Sequence, residues 1–367
     1  MGVWQQHKLN FQRIGVIILC WMLADLFFQF HEQAILAEDG WQEMNWCFPF
    51  LGERLALDGL GGLIGGSLLV YVNTYCFRKR SHAHSLILTM VGYSLGFVLL
   101  IVVWEAVFAQ ADRTPALVAR RVLENLTGPE ALQTLDRYLV WFFVYLFTLF
   151  FLQVCDKFGP GNLWRFLIGE FHSPRQVDRI FMFLDMKAST RIAERLGHHQ
   201  YFNLLRHCFA EMTGPVTRFG GEIYQYLGDG IIISWPMSRG FKQWRCIHCF
   251  FAIRQQFRRR GSFFHRQFGI LPVFKAGLHC GAVTAGELGQ LKTEIVFSGA
   301  VLNTTARIQD QCNALGADFL ISEQACGHLS DAGDYAFIPK DAVVLQGRRD
   351  KIRLFAVAEA DRERDLV

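Results

Sequence analysis

The sequence has little excess charge of either sign. Its 37 Lys and Arg stand against 33 Asp and Glu, a formal net charge of +4, and nearly every basic cluster lies beside an apolar run. That distribution suits membrane flanks and argues against DNA or RNA as a partner. A second cysteine pair at ligand spacing is also missing. Cys246-Ile247-His248-Cys249 has the spacing of half a zinc site, but structural zinc takes four ligands, and the helical pattern of the segment reads as buried thiols. Six of the ten cysteines lie beyond residue 200, in the water-soluble part, and only Cys47 falls in an expected outside loop. Reduced cytoplasmic thiols are therefore expected, with no disulfide framework. Polar residues are sparse in the apolar runs, which argues against a channel or transporter. No repeat or sensor domain is apparent, and Ala34-Ile35-Leu36-Ala37 lacks the spacing of a signal-peptide cleavage site.

What the chain does have is apolar bulk. It is 51% hydrophobic with 34 Phe and a mean hydropathy of +0.20, which is high for a soluble protein and places part of it in lipid. The long runs fill residues 1–157. Four stretches, near Ile14 to Phe30, Leu55 to Phe77, Ser85 to Ala109 and Tyr138 to Cys155, approach the ~20 residues a spanning helix needs. Lys8 and Arg13, Arg78-Lys79-Arg80, and Lys157 with Arg165 flank them on one side. Glu32, Glu38, Asp39, Glu43 and Glu53, with Trp41 and Trp46, occupy the first intervening loop. The positive-inside rule then puts both termini in the cytoplasm of a multi-pass plasma (inner) membrane protein whose partner is membrane lipid. Gly59, Gly61, Gly62, Gly65 and Gly66, and the Gly92-x-x-x-Gly96 spacing, favour close helix packing or dimerisation. Asp58 and Glu105 lie near span ends and read as interfacial carboxylates. Residues 158–178 form a linker, with Gly159-Pro160-Gly161 breaking the last span before an amphipathic Leu163 to Ile168 stretch. It either relays motion or lies passively on the membrane surface.

From Arg179 the periodicity changes. A strand (Ile180 to Leu184), a long helix (Ser189 to Thr213), a hairpin (Ile223 to Tyr226, Ile231 to Trp235) and a helix (Arg239 to Arg258) are followed by strands near Phe274 to Leu278 and Glu294 to Phe297. A helix from Val301 to Ala314 and strands near Phe319 to Ile321 and Ile352 to Val357 complete the pattern. This β-α-β-β-α-β order predicts a ferredoxin-like α+β domain over 179–367, behind an all-α membrane bundle.

Two acids stand at strand ends, Asp185 and Asp229, the latter within Gly228-Asp229-Gly230. If the first strand neighbours the hairpin, their carboxylates converge. Paired carboxylates suit Mg²⁺, which fills its remaining positions with water and substrate phosphates. Ser189 and Thr190 open a helix whose free N–H groups are ready to receive a phosphate. A helix cap and a plain β-turn explain each motif alone but not both together.

These residues resemble the class III adenylyl and guanylyl cyclase family over about Arg179 to Glu359. The resemblance rests on Phe183-x-Asp185 through Thr190, Gly220-Gly221 with Gly228-Asp229-Gly230, Gly277-Leu278-His279-Cys280-Gly281, and Gly299-x-x-x-Asn303-x-x-x-Arg307, all in the family's order and spacing. It implies cyclisation of a nucleoside triphosphate, with Asp185 and Asp229 holding two Mg²⁺ or Mn²⁺ ions per site. It further implies that Asn303 positions the ribose and that Arg307 neutralises charge at the α-phosphate. Gln346-Gly347-Arg348 is similar to the phosphate-gripping loop, with Arg348 as its cation. In this family the site lies between two cyclase domains; one domain carrying both sets implies a homodimer with two equivalent sites.

At the two base-reading positions stand Gln225 and Val296. Adenylyl members commonly have Lys with Asp or Thr there, and guanylyl members Glu and Cys. ATP is the expected substrate, with GTP and a pyrimidine triphosphate as alternatives. Gly220-Gly221-Glu222 echoes a diguanylate cyclase signature, but Ile223 and Tyr224 break it and Asn303 and Arg307 have no place in it. An inactive, nucleotide-binding cyclase-like domain is the non-enzyme alternative.

Overall fold

The computed structural model describes residues 2–38, 48–71, 82–107, 114–129, 131–158, 168–291, 293–329, 334–344 and 351–360. The chain divides into two compact units, with the break between Trp164 and Arg165. Arg78-Lys79-Arg80, Trp41, Trp46, Cys47, Gly159-Pro160-Gly161, Leu163 to Leu167 and Gln346-Gly347-Arg348 lie outside the described residues.

The first unit is all helical: α1 (Gly2–Glu38), α2 (Phe48–Tyr71), α3 (His82–Val107), α4 (Pro115–Thr127) and α5 (Ala131–Phe158). Its core is small. Ile14, Ile17 and Trp21 of α1 meet Leu69 and Val70 of α2 and Tyr145, Leu149 and Leu152 of α5. Glycine permits the close approach: a Cβ on Gly65 would lie 2.8 Å from the Trp21 ring, and one on Gly92 would lie 2.6 Å from the end of Leu68. Trp21 Nε1 donates to Thr148 Oγ1 at 3.0 Å. The outward side of α5 is apolar, with Phe143, Phe147 and Phe150 each more than 60% exposed.

Among the described residues one helical segment, Ala131–Cys155, is long and apolar enough to cross a membrane; Gly59–Tyr71 and Ile87–Val103 are apolar but shorter. Two local expectations change. Glu32, Glu38 and Glu53, expected in the first loop, belong to α1 and α2. The unforeseen α4 starts on Pro115, where proline's fixed φ suits a first helical turn, and buries no residue. Asn125 on it donates to Glu105 Oε1 at 3.1 Å, and Arg121 lies 3.7 Å from Oε2, so Glu105 is held by α4.

The second unit is an eight-stranded mixed sheet. Its strands are β1 (Arg175–Met186), β2 (Glu222–Leu227), β3 (Gly230–Pro236), β4 (Phe274–Leu288), β5 (Glu294–Ser298), β6 (Phe319–Ser322), β7 (Tyr335–Val344) and β8 (Lys351–Glu359). The order is β2-β3-β1-β4-β6-β8-β7, with β5 paired to the end of β4. The longer helices that accompany it are α6 (Ser189–Arg218), α7 (Arg245–Arg259), α8 (Gly261–Phe268) and α9 (Ala300–Ala314), with short helical turns at Met237–Gly240, Lys242–Trp244 and Glu323–Cys326.

Alternation along β1 sorts the two faces. Ile180, Met182, Leu184 and Met186 join Leu204, Cys208 and Met212 of α6 and Cys246, Cys249 and Phe250 of α7 in the main core. Phe181 belongs to a smaller cluster on the other face, with Ile232, Val283 and Val301 and with Phe183, Tyr224 and Phe297 at its edge. Asp185, next in that alternation, shares the thinly covered face.

Several boundaries differ from the sequence pattern. β1 starts at Arg175, five residues before the expected Ile180, because Arg175 already pairs with Ala285. β4 runs on to Leu288 and carries β5 as a two-stranded arm. The helix expected from Arg239 to Arg258 is interrupted: a short turn, Met237–Gly240, holds Arg239, and α7 begins only at Arg245, because Gln243 and Trp244 adopt left-handed backbone, which no right-handed helix accommodates. β7 was not foreseen: Pro339 interrupts its pattern, and its register shifts between Lys340 and Val343.

Candidate active site

The site begins with a register. β1 and β3 are antiparallel, and Asp185 sits opposite Gly230, so the residue before Gly230 comes beside the end of β1. That residue is Asp229, in the tight β2–β3 turn where Gly228 takes φ +57°. The approach is close: a Cβ on Gly230 would meet the Leu184 carbonyl at 2.8 Å and Asp185 Oδ1 at 3.7 Å.

Burial pushes the Asp185 carboxyl above the usual carboxylate range, and the neighbouring Asp229 carboxyl, within hydrogen-bonding reach, pushes it further; Lys275 pulls it back. A second carboxyl crowded against it makes ionised Asp185 costly unless cations balance the pair. Lys275 Nζ lies 3.4 Å from Asp185 Oδ2, and Gln309 Nε2 donates to the same oxygen at 3.3 Å. Among the described residues no group of three or more His, Cys, Asp or Glu could hold a metal. A pair of hard oxygen donors matches a cation that keeps water and substrate oxygens for its other positions, as Mg²⁺ and Mn²⁺ do, and does not match a closed zinc cage.

Ser189 is half-buried in the first turn of α6 and Thr190 is exposed beside it. Tyr201 hydrogen-bonds to Ser189, and its hydroxyl is pushed up to about 12 by burial and then by Asp229 and Asp185. Tyr201 thus lies within the field of both acids, as do Lys275 and Gln309. None of the three stood out in the sequence. A lone lysine in the apolar run Phe274 to Leu278 was the available signal for one of them.

Gln225 is exposed on the edge strand β2, and Val296 is half-buried on β5. Their neighbours touch. The Tyr224 and Phe297 rings are 5.1 Å apart, and Phe297 N–H donates to the Tyr224 hydroxyl at 3.2 Å. The β2 register shifts at this point, between Ile223 and Gln225.

Asn303 and Arg307 lie on the outward side of α9, Asn303 exposed and Arg307 half-buried. The inward side carries Val301, Thr304, Thr305, Ile308, Gln309 and Cys312. Gln309, two residues beyond Arg307, is about 200° round the helix from it at 100° per residue. Within one chain, then, the α9 side that reaches Asp185 is opposite the side bearing Asn303 and Arg307. Arg307 has no ion-pair partner among the described residues.

Two other motifs are structural. His279 is buried and shares a 2.7 Å hydrogen bond with Ser322. Cys246 and Cys249 are fully buried in the core, where burial pushes the Cys246 thiol up to about 12.

A family model described as the adenylate and guanylate cyclase catalytic domain matches residues 173–359. Over 174 residues the chain is 36% identical to Adenylate cyclase 2 of Rhizobium meliloti, covering 47% of this chain and 48% of that protein. It is 24% identical over 199 residues to a receptor-type guanylate cyclase of Caenorhabditis elegans, covering 53% of this chain and 17% of the relative. The chain thus spans about half or less of the length of these relatives. A solved bacterial light-regulated adenylyl cyclase superposes with a TM-score of 0.52 at 20% identity, covering 64% of this chain and 68% of the other. That likeness shows a shared fold.

Proposed function

The chain belongs to the adenylate and guanylate cyclase catalytic domain family, and from that premise we propose that it converts ATP to 3′,5′-cyclic AMP and pyrophosphate in signal transduction. The observation that carries this reading is the crowded Asp185–Asp229 pair at the end of β1. Asp185 and Asp229 would hold the metal. Mg²⁺ or Mn²⁺ held there, two per site, would supply charge that makes the ribose 3′-hydroxyl more acidic and neutralises the triphosphate.

This chain's side chains do the rest. Asn303 orients the ribose so that its 3′-oxygen lies in line with the α-phosphorus. The Arg307 guanidinium stabilises negative charge as the bond to pyrophosphate breaks. Ser189 and Thr190 present the start of α6 to phosphate oxygens, and Arg348 grips the triphosphate. Because Asn303 and Arg307 face away from Asp185 within one chain, the complete site is shared: one protomer brings the aspartates and its partner brings α9. The working unit is a homodimer with two equivalent sites.

Adenine as the base is favoured by the 36% identity to a protein named an adenylate cyclase. The second reading, GTP or a pyrimidine triphosphate, is favoured by Gln225 and Val296, which match neither purine pattern. Residues 1–157 serve as a four-span anchor in the plasma (inner) membrane, with the N-terminus and the catalytic domain in the cytoplasm. The apolar outer side of α5 supports contact with lipid.

The test is cyclic nucleotide formation by the detergent-solubilised chain, offered ATP, GTP, CTP and UTP separately with Mg²⁺ or Mn²⁺. Cyclic AMP from ATP, lost in Asp229→Ala, is the expected result. Product from another triphosphate alone would replace ATP as substrate, and no product from any of the four would favour an inactive nucleotide-binding domain.

A further inference from the structure

Asp185 has two oxygens in different company. Oδ1 lies on the Gly230 side, 3.7 Å from where a Cβ on Gly230 would be. Oδ2 is held by Lys275 at 3.4 Å and by the Gln309 amide at 3.3 Å. Gln309 is only 6% exposed, although it is a long polar side chain on the helix that carries Asn303 and Arg307. Its position is enforced from beneath. Gly277 on β4 has no side chain, and a Cβ there would lie 2.8 Å from Gln309 Cα and Cβ, so the α9 backbone rests directly on the strand. Gly277 pairs with Phe183, two residues before Asp185, which puts Gln309 within reach of the carboxylate.

We propose that Gln309 is a positioning residue for the metal site: its amide fixes Oδ2 so that Oδ1, on the Gly230 side, is presented as the metal-binding oxygen. Because the donor is uncharged, it orients the carboxylate without adding positive charge that would compete with the cation. The contact also ties α9, which presents Arg307 to one site of the dimer, to the metal aspartate of the other. A hydrogen bond of this kind, behind a metal-binding carboxylate, typically accounts for about 10–100-fold in metal affinity. The inference rests on the proposed role of Asp185 as a metal ligand.

The experiment is Mn²⁺ titration of the full detergent-solubilised chain followed by electron paramagnetic resonance, alongside thermal unfolding without metal. The proteins compared are wild type, Gln309→Met, Gln309→Leu, Asp185→Ala and Arg307→Ala. Gln309→Met and Gln309→Leu keep the bulk and remove the donor, and both are expected to weaken Mn²⁺ binding about 10–100-fold. Arg307→Ala, on the same helix, should leave Mn²⁺ binding unchanged. In turnover, the Gln309 variants should need more metal for half-maximal rate and approach wild-type kcat at saturating Mn²⁺. Mn²⁺ binding lost in Asp185→Ala but unmoved in both Gln309 variants would overturn the positioning role and leave the metal assignment standing. Binding unaffected by Asp185→Ala would sink the metal assignment and the inference with it. Weakened binding seen equally in Arg307→Ala would assign the effect to general disturbance of α9 and reject Gln309's specific role.

Discussion

Gly277 and Gln309 are in backbone contact: a methyl group on Gly277 would lie 2.8 Å from Gln309 Cα, so close that strand or helix would have to shift. The helix that carries Asn303 and Arg307 is therefore set against the sheet by an absent side chain. Gly277→Ala should push α9 outward and cost about 1–3 kcal/mol, as overpacking does in cores. Denaturant unfolding would measure it, and cyclase activity should fall with stability even though no proposed site residue has changed. A variant as stable and as active as wild type would show that the approach is not strict.

Asp229→Asn should stabilise the metal-free protein while abolishing activity. Burial and then Asp229 hold the Asp185 carboxyl above its ordinary value of 3.8, so the folded state binds that proton more tightly than the unfolded chain does. The ionisation penalty is fully present above the folded pKa and disappears below the unfolded one. Removing the Asp229 charge relieves its share of the penalty at pH 8 and leaves the larger share, from burial, in place, so the variant's thermal midpoint should exceed wild type there. The difference should shrink as pH falls through the Asp185 titration. Added Mg²⁺ should raise the wild-type midpoint and leave the variant's in place.

Mixing Asp185→Ala with Arg307→Ala subunits should recover activity that neither has alone. Each mixed dimer carries one intact site of two, so the purified heterodimer should show about half of wild-type activity. The check is co-expression with two affinity tags and assay of the doubly purified dimer. Proven heterodimers without activity would rule out a shared site.

Tyr224→Phe removes the hydroxyl that accepts the Phe297 N–H. Losing one half-buried hydrogen bond should cost about 1 kcal/mol and loosen the strands bearing Gln225 and Val296. The ratio of kcat/KM for ATP to that for GTP should move toward unity, while Mn²⁺ binding stays the same. An unchanged ratio would place base reading elsewhere.

Much of this protein could be read in the sequence because its signals are local. The strand-end Asp185, the Gly228-Asp229-Gly230 turn and the four-residue spacing of Asn303 and Arg307 each follow from the period of one element. Neighbouring strands then bring the two acids together. The helical breadth of the first unit is visible in its apolar runs, whereas α4, with Ala119, Val122, Leu123 and Leu126 at helical spacing, is too short and too charged to read as a span.

The rest depends on contacts between residues far apart in the chain. Gln309 is 124 residues from Asp185, and its amide has a role only because Gly277 lets α9 come to rest on β4. Lys275 in a buried strand reads as an anomaly until the carboxylate beside it is seen, and the Tyr224–Phe297 link needs a bulge that no alternation pattern announces. β7 forms because β8 offers it hydrogen bonds, in spite of Pro339. The sequence by itself determined which residues carry charge and on which side of each element they lie. Only tertiary structure decided which face meets which, because that depends on close approach and on burial of charge, properties of the packed chain that no single segment possesses.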